Sequence, residues 1–109
     1  MATVYKVLGQ SNPAATTNTD IYTVPASTST IVSTIVIANL ASTDATFRIA
    51  IRPGGATIAN QHYVAYNVTV GGADSTTVTI GPTLAATDKI TVYASTANVA
   101  FNVFGSEIS

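Results

Sequence analysis

One histidine, five acidic residues and five tyrosines are the side chains of this 109-residue chain best suited to chemistry. His62 is the single histidine, so an imidazole acid or base could only be His62. A serine nucleophile beside it would need a strained strand-to-helix elbow, and no Gly-x-Ser-x-Gly occurs. His62 is therefore read as a strand-opening residue that bonds locally or lies at a subunit contact. Asp20, Asp44, Asp74, Asp88 and Glu107 stand apart from one another, and no Asp-x-Asp-x-Asp-Gly run offers a calcium loop. Paired carboxylates for glycoside hydrolysis would have to be brought together by the fold. The four aspartates fall at or beside expected turns, where a short carboxylate accepts from nearby backbone N–H groups. A loop calcium site made of one Asp and carbonyls is the alternative to that turn role. Gly54-Gly55 and Gly71-Gly72 lack the following helix and Lys-Ser/Thr of a phosphate-binding loop, and read as turns. The expectation is a protein without catalytic residues, metal or cofactor.

Recognition is the other chemistry these residues offer. Arg48 and Arg52 share a strand face two positions apart and could clamp an anionic partner. Tyr63 and Tyr93 lie opposite the apolar sets of their strands. Outward tyrosines combine apolar area with a hydroxyl and suit interfaces and sugar sites. Tyr5 joins them on a first strand, Thr3 to Leu8, that could add to a sheet edge of its own or of a neighbour. Arg48, Arg52, Tyr63, Tyr93 and Tyr5 are the candidate interface.

The background on which these residues sit is nearly free of charge. Charged residues make up 8% of the chain, against about 25% in a typical domain. Thr, Ser, Asn and Ala take their place. Such a surface opposes docking only weakly through like-charge repulsion, and its short side chains lose little rotamer entropy on ordering. The composition suits a chain that sits against other protein. Four basic and five acidic residues, scattered singly, make no phosphate-tracking patch, so nucleic acid is not an expected partner. The most apolar window, Ile31 to Leu40, is too short to cross a bilayer as a helix, so no membrane is expected. The absence of cysteine excludes disulfides and thiolate metal sites. No apolar leader follows Met1, so no secretory signal is expected.

The elements that must position these residues are strands. Period 2 dominates the chain. Thr46 to Arg52 sets Phe47, Ile49 and Ile51 against Thr46, Arg48, Ala50 and Arg52 before Pro53-Gly54-Gly55 stops it. His62 to Val70 sets His62, Val64, Tyr66, Val68 and Val70 against Tyr63, Ala65, Asn67 and Thr69. Thr76 to Ile80 carries Val78 and Ile80 inward. Lys89 to Ser95 carries Ile90, Val92 and Ala94, and Val99 to Val103 carries Val99, Phe101 and Val103 before Gly105. Thr3 to Leu8, Ile21 to Val24 and Thr30 to Leu40 complete the set. The continuously apolar Thr30 to Leu40 is expected at a sheet centre, covered on both faces.

These signals predict an all-β protein: a single-domain antiparallel β-sandwich of seven to eight strands over residues 1–109, with residues 1–20 an extended arm or edge strand. An immunoglobulin-like topology is favoured, because Thr83 to Val92 places a Leu, a short turn, an Asp and an alternating strand as such domains do where they cross between sheets. The antibody cysteines and tryptophan are missing. A jelly roll is the second choice.

Two stretches carry a resemblance. Tyr22-Thr23-Val24-Pro25-Ala26, leading into the long apolar strand Ile31-Val32-Ser33-Thr34-Ile35-Val36-Ile37-Ala38-Asn39, is similar to small structural proteins of tailed bacteriophages, particularly phages of aquatic bacteria and cyanobacteria. Asp88-Lys89-Ile90-Thr91-Val92-Tyr93-Ala94-Ser95-Thr96, followed by Phe101 to Gly105-Ser106-Glu107, resembles the same group. The resemblance covers nearly the whole chain and rests on strand-and-turn patterns. It implies a virion component made in the bacterial cytoplasm: a capsid decoration (cement) protein bound to the major capsid protein as a homo-oligomer, with a trimer at threefold positions favoured, or a tail, neck, baseplate or fibre part. A tail location would also suit recognition of host-surface glycan. The resemblance supplies no functional residue.

Overall fold

A strand that alternates apolar and polar residues can bury only one face, so several such strands must assemble around a shared interior. The computed structural model describes residues 2–109. Its strands are β1 (Thr3–Ser11), β2 (Thr19–Thr23), β3 (Ser29–Asn39), β4 (Ala45–Arg52), β5 (Tyr63–Val70), β6 (Ser75–Val78), β7 (Thr83–Leu84), β8 (Lys89–Ala94) and β9 (Val99–Ile108). All pairings are antiparallel. The first sheet runs β1-β9-β3, with β6 and the two-residue β7 sharing the far edge of β3; the second runs β2-β8-β4-β5. The protein is an all-β sandwich.

The interior is filled by Val32, Ile35, Ile37, Phe101 and Val103 from the first sheet and Phe47, Ile49, Ile90 and Val92 from the second. Phe47 and Phe101 meet edge to face across it, with ring centroids 6.2 Å apart and planes at 75°, a geometry their ring quadrupoles favour.

The immunoglobulin-like arrangement is corrected by the strand order. β1 and β2 lie in different sheets and β1 pairs with the last strand, β9, whereas an immunoglobulin-like domain keeps its first two strands in one sheet. The observed order, β1-β9-β3-β6 facing β2-β8-β4-β5, is that of a jelly roll. The Leu-turn-Asp segment does cross between sheets, from β7 on β3 to β8 beside β4. That local crossing is common to both topologies and could not separate them.

Four local expectations also change. β3 is interior to its sheet but covered on one face only: Thr30, Val32, Ile35 and Ile37 are buried while Ile31 is 41% exposed. β9 runs on through Gly105 to Ile108. A Cβ at Gly105 would strike the Ile31 carbonyl oxygen, so glycine here permits a close backbone approach and does not end a strand. Ile80 lies beyond β6 and is exposed. In β5, Val64 and Tyr66 face outward while Ala65 packs against the core.

Candidate functional site

The outward turn of Tyr66 follows from a β-bulge. Phe47 pairs with Val68 and Ile49 with Ala65, so Tyr66 and Asn67 together stand opposite the single residue Arg48. Asn67 takes φ of 52°, a left-handed conformation that asparagine tolerates better than most residues. The extra residue reverses the side-chain alternation and re-aims Tyr66 to the outer face. Strict period 2 assigned Tyr66 inward. The one cue to the bulge is an asparagine inside a strand.

Arg48 is held from both neighbouring strands. Its guanidinium carbon lies 4.3 Å from the Tyr66 ring centroid on the β5 side and 4.2 Å from that of Tyr93, its ladder partner on β8. Each such cation–π contact contributes about 0.5–1 kcal/mol at an exposed site. Arg48 Nε donates to Asn67 Oδ1 at 2.7 Å. Tyr63 meets Tyr66 edge to face at 4.8 Å between centroids. Beside this pair lies a shallow, solvent-open concavity of about 470 Å³ lined by Asn60, Tyr63 and Tyr66.

The fold therefore brings three of the expected residues, Arg48, Tyr63 and Tyr93, together on the outer face of the second sheet. It adds Tyr66, Asn67 and Asn60, none of which the sequence singled out. Arg52 follows Arg48 on the outward row of β4 but is fully engaged. It donates to Asp20 Oδ1 at 2.8 Å, to Thr91 Oγ1 at 3.2 Å and to the carbonyls of Gly55 and Ala56. Asp20 also accepts from Thr91 Oγ1 at 2.7 Å. It lies in β2, not at a turn, and ties the β2-β8-β4 ladder together from outside.

Tyr5 is on the other side of the molecule. It is 83% exposed on the outer face of β1, where Val7, Ile31 and Phe104 line a shallow groove with it. The candidate interface thus divides between the two opposite outer faces.

The remaining titratable groups serve the backbone or join the sheets. His62 closes a short 3₁₀ turn ahead of β5, and its Nδ1 accepts from the Ala59 N–H at 3.0 Å. Asp88 accepts from the N–H groups of Gly54 and Ala85, Asp44 from that of Gly72, and Asp74 from that of Ser75. Among the described residues no three His, Asp or Glu side chains converge as metal ligands. Tyr22 is buried, and its hydroxyl donates to Glu107 Oε2 at 2.5 Å while lying 2.8 Å from Thr30 Oγ1. Burial, and then the Glu107 carboxylate, push the Tyr22 hydroxyl up to about 12. The same hydrogen bond, helped by Lys6, holds Glu107 below the usual carboxylate range.

Against known protein families, curated proteins and solved structures, the chain has no match.

Proposed function

We propose that this chain is a non-enzymatic structural component of a bacteriophage virion, a capsid decoration protein that docks on the outer lattice of the major capsid protein as a homo-oligomer, a trimer. The observation that carries the reading is the outer face of β1, β9 and β3. It offers Tyr5, Val7 and Ile31 to solvent beside Phe104, on a chain that is only 8% charged. The polar residues that line the groove with them are Ser33, Ser106 and Lys6, and a grouped apolar face rimmed by polar residues is the mark of an interaction surface. The stated resemblance supplies the setting, and the jelly roll is an architecture of viral capsid and lectin domains. Fold alone assigns no function. A protein that binds only the assembled shell stabilises it by mass action. Cryo-electron microscopy of intact particles tests the proposal. Density for this chain at lattice-wide occupancy supports it, and a few copies confined to one vertex or the tail overturn it.

A second reading is favoured by a different observation. The grouping of Tyr63, Tyr66 and Tyr93 with Asn60 and Asn67 beside a concavity suits a recognition module of a tail fibre, baseplate or neck that binds host-surface glycan. Uniform capsid labelling together with silence on a glycan array overturns this reading.

A further inference from the structure

Among the four Lys and Arg residues, Arg48 alone has no carboxylate partner. Lys6 pairs with Glu107, Arg52 with Asp20, and Lys89 approaches Asp20 at 3.9 Å, while no described acid reaches Arg48. Its neighbours hold the side chain without neutralising it. Two aromatic rings pack on the guanidinium and Asn67 takes the Nε–H. Both terminal nitrogens remain without a protein acceptor among the described residues, so the fork that grips a carboxylate through two parallel N–H bonds is left unused by the half-buried side chain. A side chain already fixed loses little further entropy when it binds. Tyr66 is the shared wall: it packs on Arg48 and also lines the concavity with Tyr63 and Asn60.

We propose that Arg48, Tyr63, Tyr66 and Asn60 form a binding site for an acidic saccharide, with the carboxylate of a uronic- or sialic-acid-type residue on the Arg48 fork. The apolar face of the sugar ring lies in the concavity against Tyr63 and Tyr66, and the Asn60 amide meets a ring hydroxyl. The concavity, about 470 Å³, is at the small end of the range for ligand sites. Its walls are aromatic rings and a neutral amide, which suit hydroxyls and C–H faces. A single cation on a chain of net charge −1 gives no long-range attraction for a polyacidic peptide. That favours a ligand whose one carboxylate is recognised at short range. This proposal rests on the second reading above and names its ligand class; docking through the Tyr5 face neither requires nor opposes it.

The test titrates the purified full chain with two matched pairs: a galacturonic acid trimer against its carboxyl-reduced galactose counterpart, and sialyllactose against lactose. Binding is read by calorimetry and by the NMR signals of Arg48 Nε–H and the tyrosine rings. The expected result is binding of an acidic member over its neutral counterpart, weakened about tenfold or more by Arg48→Gln. Arg48→Lys, which keeps the charge and loses the fork, falls between the two. Asn60→Ala, outside the Arg48 stack, weakens binding with an unchanged melting temperature and keeps the test valid if Arg48→Gln unfolds. Equal binding of acidic and neutral members, lost in Tyr66→Ala but not in Arg48→Gln, overturns the carboxylate assignment and leaves the glycan reading standing. Binding of neither pair overturns this proposal, and silence across a glycan array together with uniform capsid labelling overturns the glycan reading as well. A Glu-rich peptide that moves the Arg48 signal when no saccharide does makes this face a protein-docking surface and likewise overturns the proposal.

Discussion

Tyr22 on β2 and Glu107 on β9 meet across the gap between the two sheets, hydroxyl to carboxylate at 2.5 Å. The contact joins the second sheet to the first beside the buried Thr30 of β3. Thr30, fully buried, lies 2.8 Å from the same hydroxyl, and Lys6 approaches the other Glu107 oxygen at 3.3 Å. Four residues from β1, β2, β3 and β9 thus share one polar staple at the margin of an apolar core.

Tyr22→Phe keeps the ring and removes the hydroxyl. It leaves Thr30 without its buried partner and Glu107 without its shortest donor, a loss of about 1–2 kcal/mol. Urea denaturation should show a lower midpoint with an unchanged slope, because the surface exposed on unfolding stays the same.

The staple also fixes how stability depends on pH. Glu107 titrates lower in the folded chain than in the unfolded one, held down by the Tyr22 hydroxyl and then by Lys6. Its contribution is therefore complete above the unfolded carboxylate value and is lost as pH falls through the folded one. Tyr22 moves the opposite way, from 10.0 to about 12. Its contribution is complete below the unfolded value and is lost as pH rises toward the folded one. Melting temperatures across the range should fall at both ends. Glu107→Gln should flatten the acid limb, and Tyr22→Phe should weaken both.

The strands themselves were legible because burial on one face imposes period 2. Phe47 and Ile49 on β4, Ile90 and Val92 on β8, and Phe101 and Val103 on β9 are all buried where alternation put them. Two kinds of information were not local. The pairing of β1 with β9 joins the two ends of the chain, and no short window states which distant edge a strand will choose. The bulge at Tyr66 and Asn67 depends on how β5 registers against Arg48. Alternation therefore placed Tyr63 and Tyr93 outward, and it hid Tyr66, which completes the cluster. Gly105 misled for a related reason: a glycine that ends a strand and one that admits a neighbouring backbone look alike in sequence.

Gly105→Ala separates those two roles of glycine. The added methyl would strike the Ile31 carbonyl and come within 3.0 Å of Leu8 Cδ1 and Val32 Cα, so β9 and β3 must part. The expected loss is about 1–3 kcal/mol by overpacking. At Gly54 a Cβ meets nothing within 4 Å, and the only strain is its φ of +62°. Gly54→Ala should therefore cost less, about 1–2 kcal/mol, with hydrogen exchange unchanged in β9 and β3. Equal losses and equal exchange patterns would remove the close-approach account.

Tyr5 and Val7 bury little within the chain, being 83% and 46% exposed. The double variant Tyr5→Ser, Val7→Ser should leave the melting temperature within a few degrees, as surface changes away from buried contacts do. Under the proposed function it should reduce both self-association in sedimentation and binding to assembled capsids. Unchanged association would place the contact elsewhere.

The bulge offers the sharpest link from one backbone angle to the recognition face. Asn67 sits at φ of 52°, where glycine is unstrained and a β-branched residue is strongly disfavoured. Asn67→Gly should keep the bulge and the Arg48–Tyr66 stack while losing the Nε–H acceptor, so the Tyr66 ring signals stay near their native shifts. Asn67→Val should favour regular extended backbone and resist the left-handed angle. Either the ladder re-registers, turning Tyr66 toward the core, or the strain remains as a loss of about 1–3 kcal/mol. Loss of the Arg48–Tyr66 cross-peak with retained fold would identify the first outcome, and a lowered midpoint with the cross-peak intact the second. Native stability together with an intact stack in Asn67→Val would mean that the left-handed angle does not hold Tyr66 in place.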